Sequence, residues 1–235
     1  LKLKTLRDFA RADGLISVKS PAMSNDFMRK IGFKNEKQRL SDIVDWPEGE
    51  RDGYQMKDIN TVVNAFYYKN LTLMAGIASK LGKKKDAAEF KAMAAKVYKV
   101  FNQKLFSNAT GLYIDGEGST HSSLHANVFP LAFGLVPEQH KKRVIDFVKS
   151  RGMACSVYGA QYLLEALYLN GEPDYALSLM NATTDRSWWN MIEKGSTMTF
   201  EAWDIKYKPN QDWNHAWGTA PLNIVTRNMW GIVPA

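Results

Sequence analysis

From Asn60 onward the chain carries apolar residues at helical spacing, in runs joined by links too short for anything but an immediate return. Val63, Phe66, Tyr67, Met74, Ile77 and Leu81 define one run, ended by Gly82; after the turn Lys83-Lys84-Lys85-Asp86, residues Ala87, Phe90, Ala94, Val97 and Phe101 define the next. Such a turn brings the second helix back antiparallel on the first. The device recurs. His121 to Leu135 and Glu138 to Ser150 form a second pair, and Tyr162 to Leu169 with a helix from Asp174, opened by Pro173 near its first position, form a third. Gly82-x3-Asp86-Ala87 and Gly171-x2-Asp174-x-Ala176 read as variants of one turn. Long polar loops, SNATGLYIDGEGST, RGMACSVYG and DIKYKPNQDW, alternate with the short links. A ring of hairpins gathers such loops at one mouth. The fold class expected is therefore all-α, with extended pieces only around 108–116 and 196–210.

Upstream, residues 1–12 place Leu3, Leu6, Phe9 and Ala10 on one helical face, which Asp13-Gly14 stops. No capping residue precedes Leu1, so the helical array is expected to be incomplete at its N-terminus. Residues 15–58 have weak periodicity, with a short apolar run from Phe27 to Phe33, and read as a long site-bearing loop. The 235 residues are expected to form one all-α domain. The net charge of +7 comes from lysines spread over helix faces, which argues against a nucleic-acid partner. No run reaches the roughly 20 apolar residues of a membrane span, and the first residues are amphipathic rather than a signal peptide. A single cysteine, Cys155, excludes an internal disulfide.

Five of the seven tryptophans fall between Ser187 and Trp217. Within that stretch Glu201 stands in a small, hydroxyl-rich and aromatic frame, Gly195-Ser196-Thr197-Met198-Thr199-Phe200-Glu201-Ala202-Trp203, and His215 follows fourteen residues later. Indole combines a broad apolar face with one donor, which suits ligands that present C–H faces and hydroxyls together. An aromatic core with Glu201 as a solvated neighbour fits the same composition. There is no phosphate loop, no His-Glu-x-x-His, no cysteine cluster and no Gly-x-Ser-x-Gly elbow. His121 and His125 share a predicted helix at metal spacing, but no third ligand accompanies them. They read as hydrogen-bonding residues at a pocket rim, and neither a metal nor a cofactor is expected. Carboxylates remain: Asp42, Asp45, Glu48, Glu50, Asp52 and Asp58 crowd the first loop around Trp46 and Tyr54, while Glu201 and Asp204 flank Trp203. Two separated acids across an aromatic cleft are what glycoside hydrolysis uses.

Gly-Ser-Thr-Met-Thr-Phe-Glu-Ala-Trp-Asp at 195–204 resembles the G-A-T-T-x-W-E-x-W stretch of the family 78 glycoside hydrolases, the α-L-rhamnosidases. It keeps Gly195, Thr197, Glu201 and Trp203 and departs at Ser196, Met198 and Phe200. In the same order, Asp45-Trp46 resembles the family's G-D-W, Asn60 to Lys80 its following helix, ANVFPLAFGLVP at 126–137 its A-L-x-x-x-L-V-P region, Ser187-Trp188 its P-S-W and Asn214-His215 its L-N-H. The resemblance implies an (α/α)6 toroid flanked by β-sandwich domains that lie outside this chain, with the preceding part of the toroid as its partner. It also implies inverting hydrolysis of terminal α-L-rhamnosyl residues in an oligosaccharide, polysaccharide or glycoside, with Glu201 as general base, and a periplasmic or extracellular setting.

By the same resemblance Trp46, Trp189 and Trp203 are sugar-facing walls and His215 a hydroxyl or carboxylate partner. Asp45, Arg51, His121 and His125 complete the substrate-binding set. The family's general-acid motif is D-C-P-x-R-E-R-x-G-W, which Asp45 to Tyr54 imitates, making Glu50 an acid candidate. Motif order favours the G-D-W placement, because more chain should separate acid from base. Another (α/α)6 glycosidase or lyase, or a non-catalytic helical carbohydrate-binding scaffold, are the alternatives.

Overall fold

Ser24 and Asn60 open two helices in the same way, each side chain accepting the backbone N–H three residues on: α1 spans Asn25–Lys30 and α2 spans Thr61–Lys80. The structure is a computed structural model that describes residues 7–34 and 40–233. Leu3 and Leu6 of the expected first helix lie outside the described residues. The chain divides into two units, Leu1–Ile43 with Gln55–Ser122 and Val44–Tyr54 with Ser123–Ala235.

The first unit is built on the hairpin of α2 with α3, Lys84–Lys104. Its α3 buries Ala87, Ala94, Val97 and Phe101, four of the five residues expected from the spacing. The α2 face differs from the expectation. Thr61, Val62, Asn64, Ala65, Tyr67, Leu71, Ala75 and Ala78 are buried, while Ile77 and Leu81 are 50% and 69% exposed. Apolar residues occur all round this helix, so periodicity in the larger ones misplaces the inward stripe, which near its C-terminus consists of small residues that let two helices approach. After α3 the chain forms a two-residue pair of strands, β1 Phe106–Ser107 and β2 Leu112–Tyr113, antiparallel with Phe106 opposite Tyr113. Tyr113 is fully buried between Phe101 and Phe106, and its hydroxyl donates to Asn102 Oδ1 at 2.6 Å. Burial of this kind is worth roughly 1.5–3 kcal/mol per large side chain. The loop expected over 15–58 contains α1, and Ala10 pairs with Ile16 in an isolated bridge.

In the second unit, α4 Leu124–Ala132 is buried at every position and packs on α5 Glu138–Arg151 and α6 Ala160–Leu169. A helix apolar all round belongs at a centre of packing. The α6 helix packs in turn on α7 Pro173–Met180 and α9 Ala220–Ile224, with α8 Trp188–Glu193 between them in sequence. Pro173 occupies the first turn of α7, where its missing N–H costs nothing. The helix expected from His121 begins at Leu124 instead, because Ser123 accepts the Ala126 N–H and caps it. Asp52 adds a second acceptor there, its Oδ2 taking the Leu124 N–H at 2.6 Å from a residue with φ 52°. Asp tolerates that left-handed backbone better than most residues. Among the described residues no helix is long and apolar enough to cross a membrane.

Candidate functional site

The frame around Glu201 is made by two chain segments that run back on each other. Ser187 caps α8 by accepting the Asn190 N–H, and Gly195 at φ 86° ends it. The following segment then pairs with residues 212–215: Glu201 N–H donates to Asp212 O at 2.9 Å, His215 N–H to Thr199 O at 2.8 Å, and Thr199 Oγ1 to His215 O at 2.6 Å. Gly218 admits this close approach, since a Cβ there would lie 2.7 Å from Thr199 Cβ and 2.9 Å from Val157 Cγ1.

Three indoles fasten the frame through backbone carbonyls. Trp188 Nε1 donates to Gly218 O at 2.7 Å, Trp217 Nε1 to Glu201 O at 3.0 Å and Trp203 Nε1 to Cys155 O at 2.7 Å. Trp203 was expected as a sugar-facing wall; its ring is wholly buried, edge-on to Trp188 at 4.9 Å, and has no face open to a ligand. Trp46 and Trp189, the other two expected walls, are 43% and 47% exposed. Phe200 is buried against Trp213, and the His215 ring stacks on Trp217 at 4.2 Å.

Glu201 is 9% exposed. Its Oε2 accepts from Lys208 Nζ at 2.8 Å and from the Asp212 N–H at 3.0 Å. Burial pushes this carboxyl up, but Lys208, the Asp212 N–H and the charge of His215 outweigh it, and the pKa lies below the ordinary glutamate value. The group is an ionised, oriented carboxylate at neutral pH. Asp204 is likewise buried and held ionised, with Asn190 Nδ2 and the Lys206 N–H on its two oxygens. A hollow of about 410 Å³ is lined by Trp188, Met191, Ile192, Thr197, Met198 and Thr199; Glu201 is not among its walls.

A second polar centre in the same unit is organised by Asp45. Its Oδ1 accepts from the Trp46 N–H at 2.9 Å and from Ser156 Oγ, and its Oδ2 accepts from the Ser156 N–H at 2.9 Å and from His125 Nε2 at 2.7 Å. Four donors satisfy a carboxylate that is 2% exposed. Arg51 Nε donates to the Asp45 carbonyl at 2.8 Å. Asp45, Arg51 and His125, expected to bind substrate, are thus engaged with protein groups. Glu50 lies beside them with a fully buried side chain, Oε1 on Arg186 Nη2 at 2.9 Å and Oε2 without a partner among the described residues. Burial pushes its pKa up to about 7, the Arg186 charge opposing and the Asp45 charge adding. His121 lies in the first unit, where its Nδ1 meets the buried carboxylate of Asp115 at 2.6 Å. Among the described residues no group of three His, Cys, Asp or Glu side chains could hold a metal ion.

No strong local signal in the sequence marks Lys208, Arg186 or Ser156 as site residues. Lys208 sits in an alternation of basic and aromatic residues that looks like ordinary solvated loop, and Arg186 is marked only by its position before the Ser187 cap.

Helical hairpins that carry a fixed carboxylate in a tryptophan-rich frame place the chain in the all-α hairpin class. Residues 19–229 match the family model of the bacterial alpha-L-rhamnosidase 6 hairpin glycosidase domain. An alpha-L-rhamnosidase of Streptomyces avermitilis is 30% identical over 156 residues, covering 63% of this chain and 14% of that protein. Among solved structures, the GH78 family rhamnosidase of Bacillus sp. GL1 aligns with a TM-score of 0.73 at 19% identity, over 95% of this chain and 22% of that one. The S. avermitilis alpha-L-rhamnosidase complexed with L-rhamnose aligns with a TM-score of 0.66 at 20% identity, over 99% and 26%. The chain belongs to the bacterial α-L-rhamnosidase six-hairpin glycosidase family, as its motif order suggests. It spans 14%, 19% and 18% of the length of three curated relatives that it matches.

Proposed function

We propose that the protein carrying this domain hydrolyses terminal α-L-rhamnosyl residues of a glycoside, oligosaccharide or polysaccharide with inversion at the anomeric carbon, and that Glu201 is the general base. The observation that carries the reading is the state of Glu201: an ionised carboxylate fixed through one oxygen inside the tryptophan-rich frame of a rhamnosidase-family domain. A carboxylate so held can take the proton of a water as that water attacks the sugar. The exposed rings of Trp46 and Trp189 offer surfaces for the C–H faces of a pyranose, and His215, whose charge acts on Glu201, is a hydroxyl partner.

Inversion needs a second carboxyl to protonate the leaving oxygen, about 6.5–9.5 Å from the base. Glu50 has the raised pKa of an acid, but its side chain has no exposed surface and Arg186 holds one of its oxygens, so the acid role is not assigned to it. Glu201→Gln in the whole protein tests the reading. The amide keeps the shape but cannot accept the proton. Hydrolysis of an aryl α-L-rhamnoside is expected to fall at least 10²-fold, while rhamnose affinity stays within a few fold. NMR of the wild-type reaction should show the β anomer first. Near-normal turnover in the variant removes Glu201 from the base role, and a first-formed α anomer removes inversion. A non-catalytic scaffold would bind rhamnose and show no turnover in either form.

A further inference from the structure

The loop that carries Lys208 is pinned at several points. The Asp185 carboxylate takes both Lys206 Nζ and the Tyr207 hydroxyl, the latter at 2.8 Å, and the Arg186 guanidinium lies over the Tyr207 ring at 4.6 Å. Gln211 N–H closes on Lys208 O at 3.0 Å, and Gln211 Oε1 accepts the Ala202 N–H at 3.2 Å. Lys208 Nζ then reaches three oxygens: Glu201 Oε2 at 2.8 Å, Asn210 O at 3.1 Å and Asn210 Oδ1 at 3.3 Å. Both members of the Lys208–Glu201 pair keep only 12% of their side-chain surface exposed. Drawing an ammonium and a carboxylate this far from water is costly, and an apolar pair would serve packing as well. The pair therefore suggests a task other than packing.

Lys208 and the Asp212 N–H both fall on Oε2. Among the described residues no protein donor is recorded on Oε1, and that oxygen is not shut away from solvent. We propose that Lys208 is a positioning residue for Glu201: together with the Asp212 N–H it anchors Oε2 and leaves Oε1 as the oxygen that receives the proton of the attacking water. This rests on the reading of Glu201 as the base. Lys208 is the first of the groups that lower the Glu201 pKa, ahead of the Asp212 N–H and His215, and burial opposes them. Without Lys208, burial is less opposed and the carboxylate holds a proton to higher pH.

The test compares Lys208→Met, Lys208→Gln and Lys208→Arg in the whole protein, with Glu201→Gln as reference. Two readouts are followed: the pH profile of kcat/KM on an aryl α-L-rhamnoside, and the ¹³C NMR titration of the Glu201 carboxyl, assigned by its absence from Glu201→Gln. Lys208→Met and Lys208→Gln should move the acid limb to higher pH, with kcat/KM at the acid end reduced roughly tenfold and kcat falling more than KM rises. The Glu201 resonance should titrate correspondingly higher. Lys208→Arg, which keeps the charge, should restore both. Circular dichroism melting checks that each variant is folded, and the glutamine variant serves if the methionine one is not. An acid limb and a Glu201 titration that coincide with wild type in the uncharged variants overturn the proposal. Normal turnover in Glu201→Gln instead overturns the base assignment, and the two failures are thus told apart.

Discussion

Replacing Glu50 by glutamine should remove a pH dependence of stability that the burial of this residue creates. In the folded chain its pKa is pushed up to about 7, against an ordinary value of 4.5. The folded-state value is the higher one, so between these two pH values the native protein holds a proton that the unfolded chain has released. The stability contributed by neutral Glu50 is fully present below about pH 4.5 and is lost as the pH rises through 7. At 1.36 kcal/mol per pH unit the loss amounts to about 3 kcal/mol. Glutamine stays neutral at every pH. Whatever constant offset follows from Arg186 losing its 2.9 Å partner, the difference in unfolding free energy between wild type and Glu50→Gln should change by about 3 kcal/mol from pH 4.5 to 7.5, in the direction that disfavours wild type at the alkaline end. Urea denaturation of both proteins at half-unit pH steps measures this, and the other carboxylates cancel in the comparison. Parallel profiles across that interval would show that burial does not govern the protonation of Glu50.

Two further substitutions probe the neighbouring centre. Gly159→Ala would place a Cβ 2.7 Å from Asp45 Oδ2 and 3.0 Å from Cys155 Cβ, and should lower stability by about 1–3 kcal/mol; an unchanged melting temperature would mean that α6 shifts freely at its start. Asp45→Asn leaves one acceptor oxygen where two now serve four donors, so the urea midpoint should drop by the equivalent of about 3–5 kcal/mol; a variant as stable as wild type would refute Asp45 as the organiser of that cluster.

Much of the secondary structure was legible in the chain because its signals are local. The α3 stripe of Ala87, Ala94, Val97 and Phe101, the turn after Gly82 and the proline at the head of α7 each depend on residues within one or two turns of one another. Motif order along the chain also points to the family, since it depends on sequence alone. The α2 face was harder, since a helix with apolar residues on every side carries no periodic mark of which side meets a neighbour.

The roles of the polar residues depended on partners far away in sequence. Asp45 and Ser156 are 111 positions apart, Glu50 and Arg186 are 136 apart, and nothing local in either segment announces the other. Sequence alone could mark Trp203 as an indole beside a glutamate, but only folding brings the Cys155 carbonyl to its ring nitrogen and makes it a buried fastening. His121 and His125, four residues apart, are divided by the Ser123 cap, one committed to Asp115 and the other to Asp45. Helix formation is written in neighbouring residues, whereas the burial and pairing of a charge are settled by which distant groups the packed chain delivers to it.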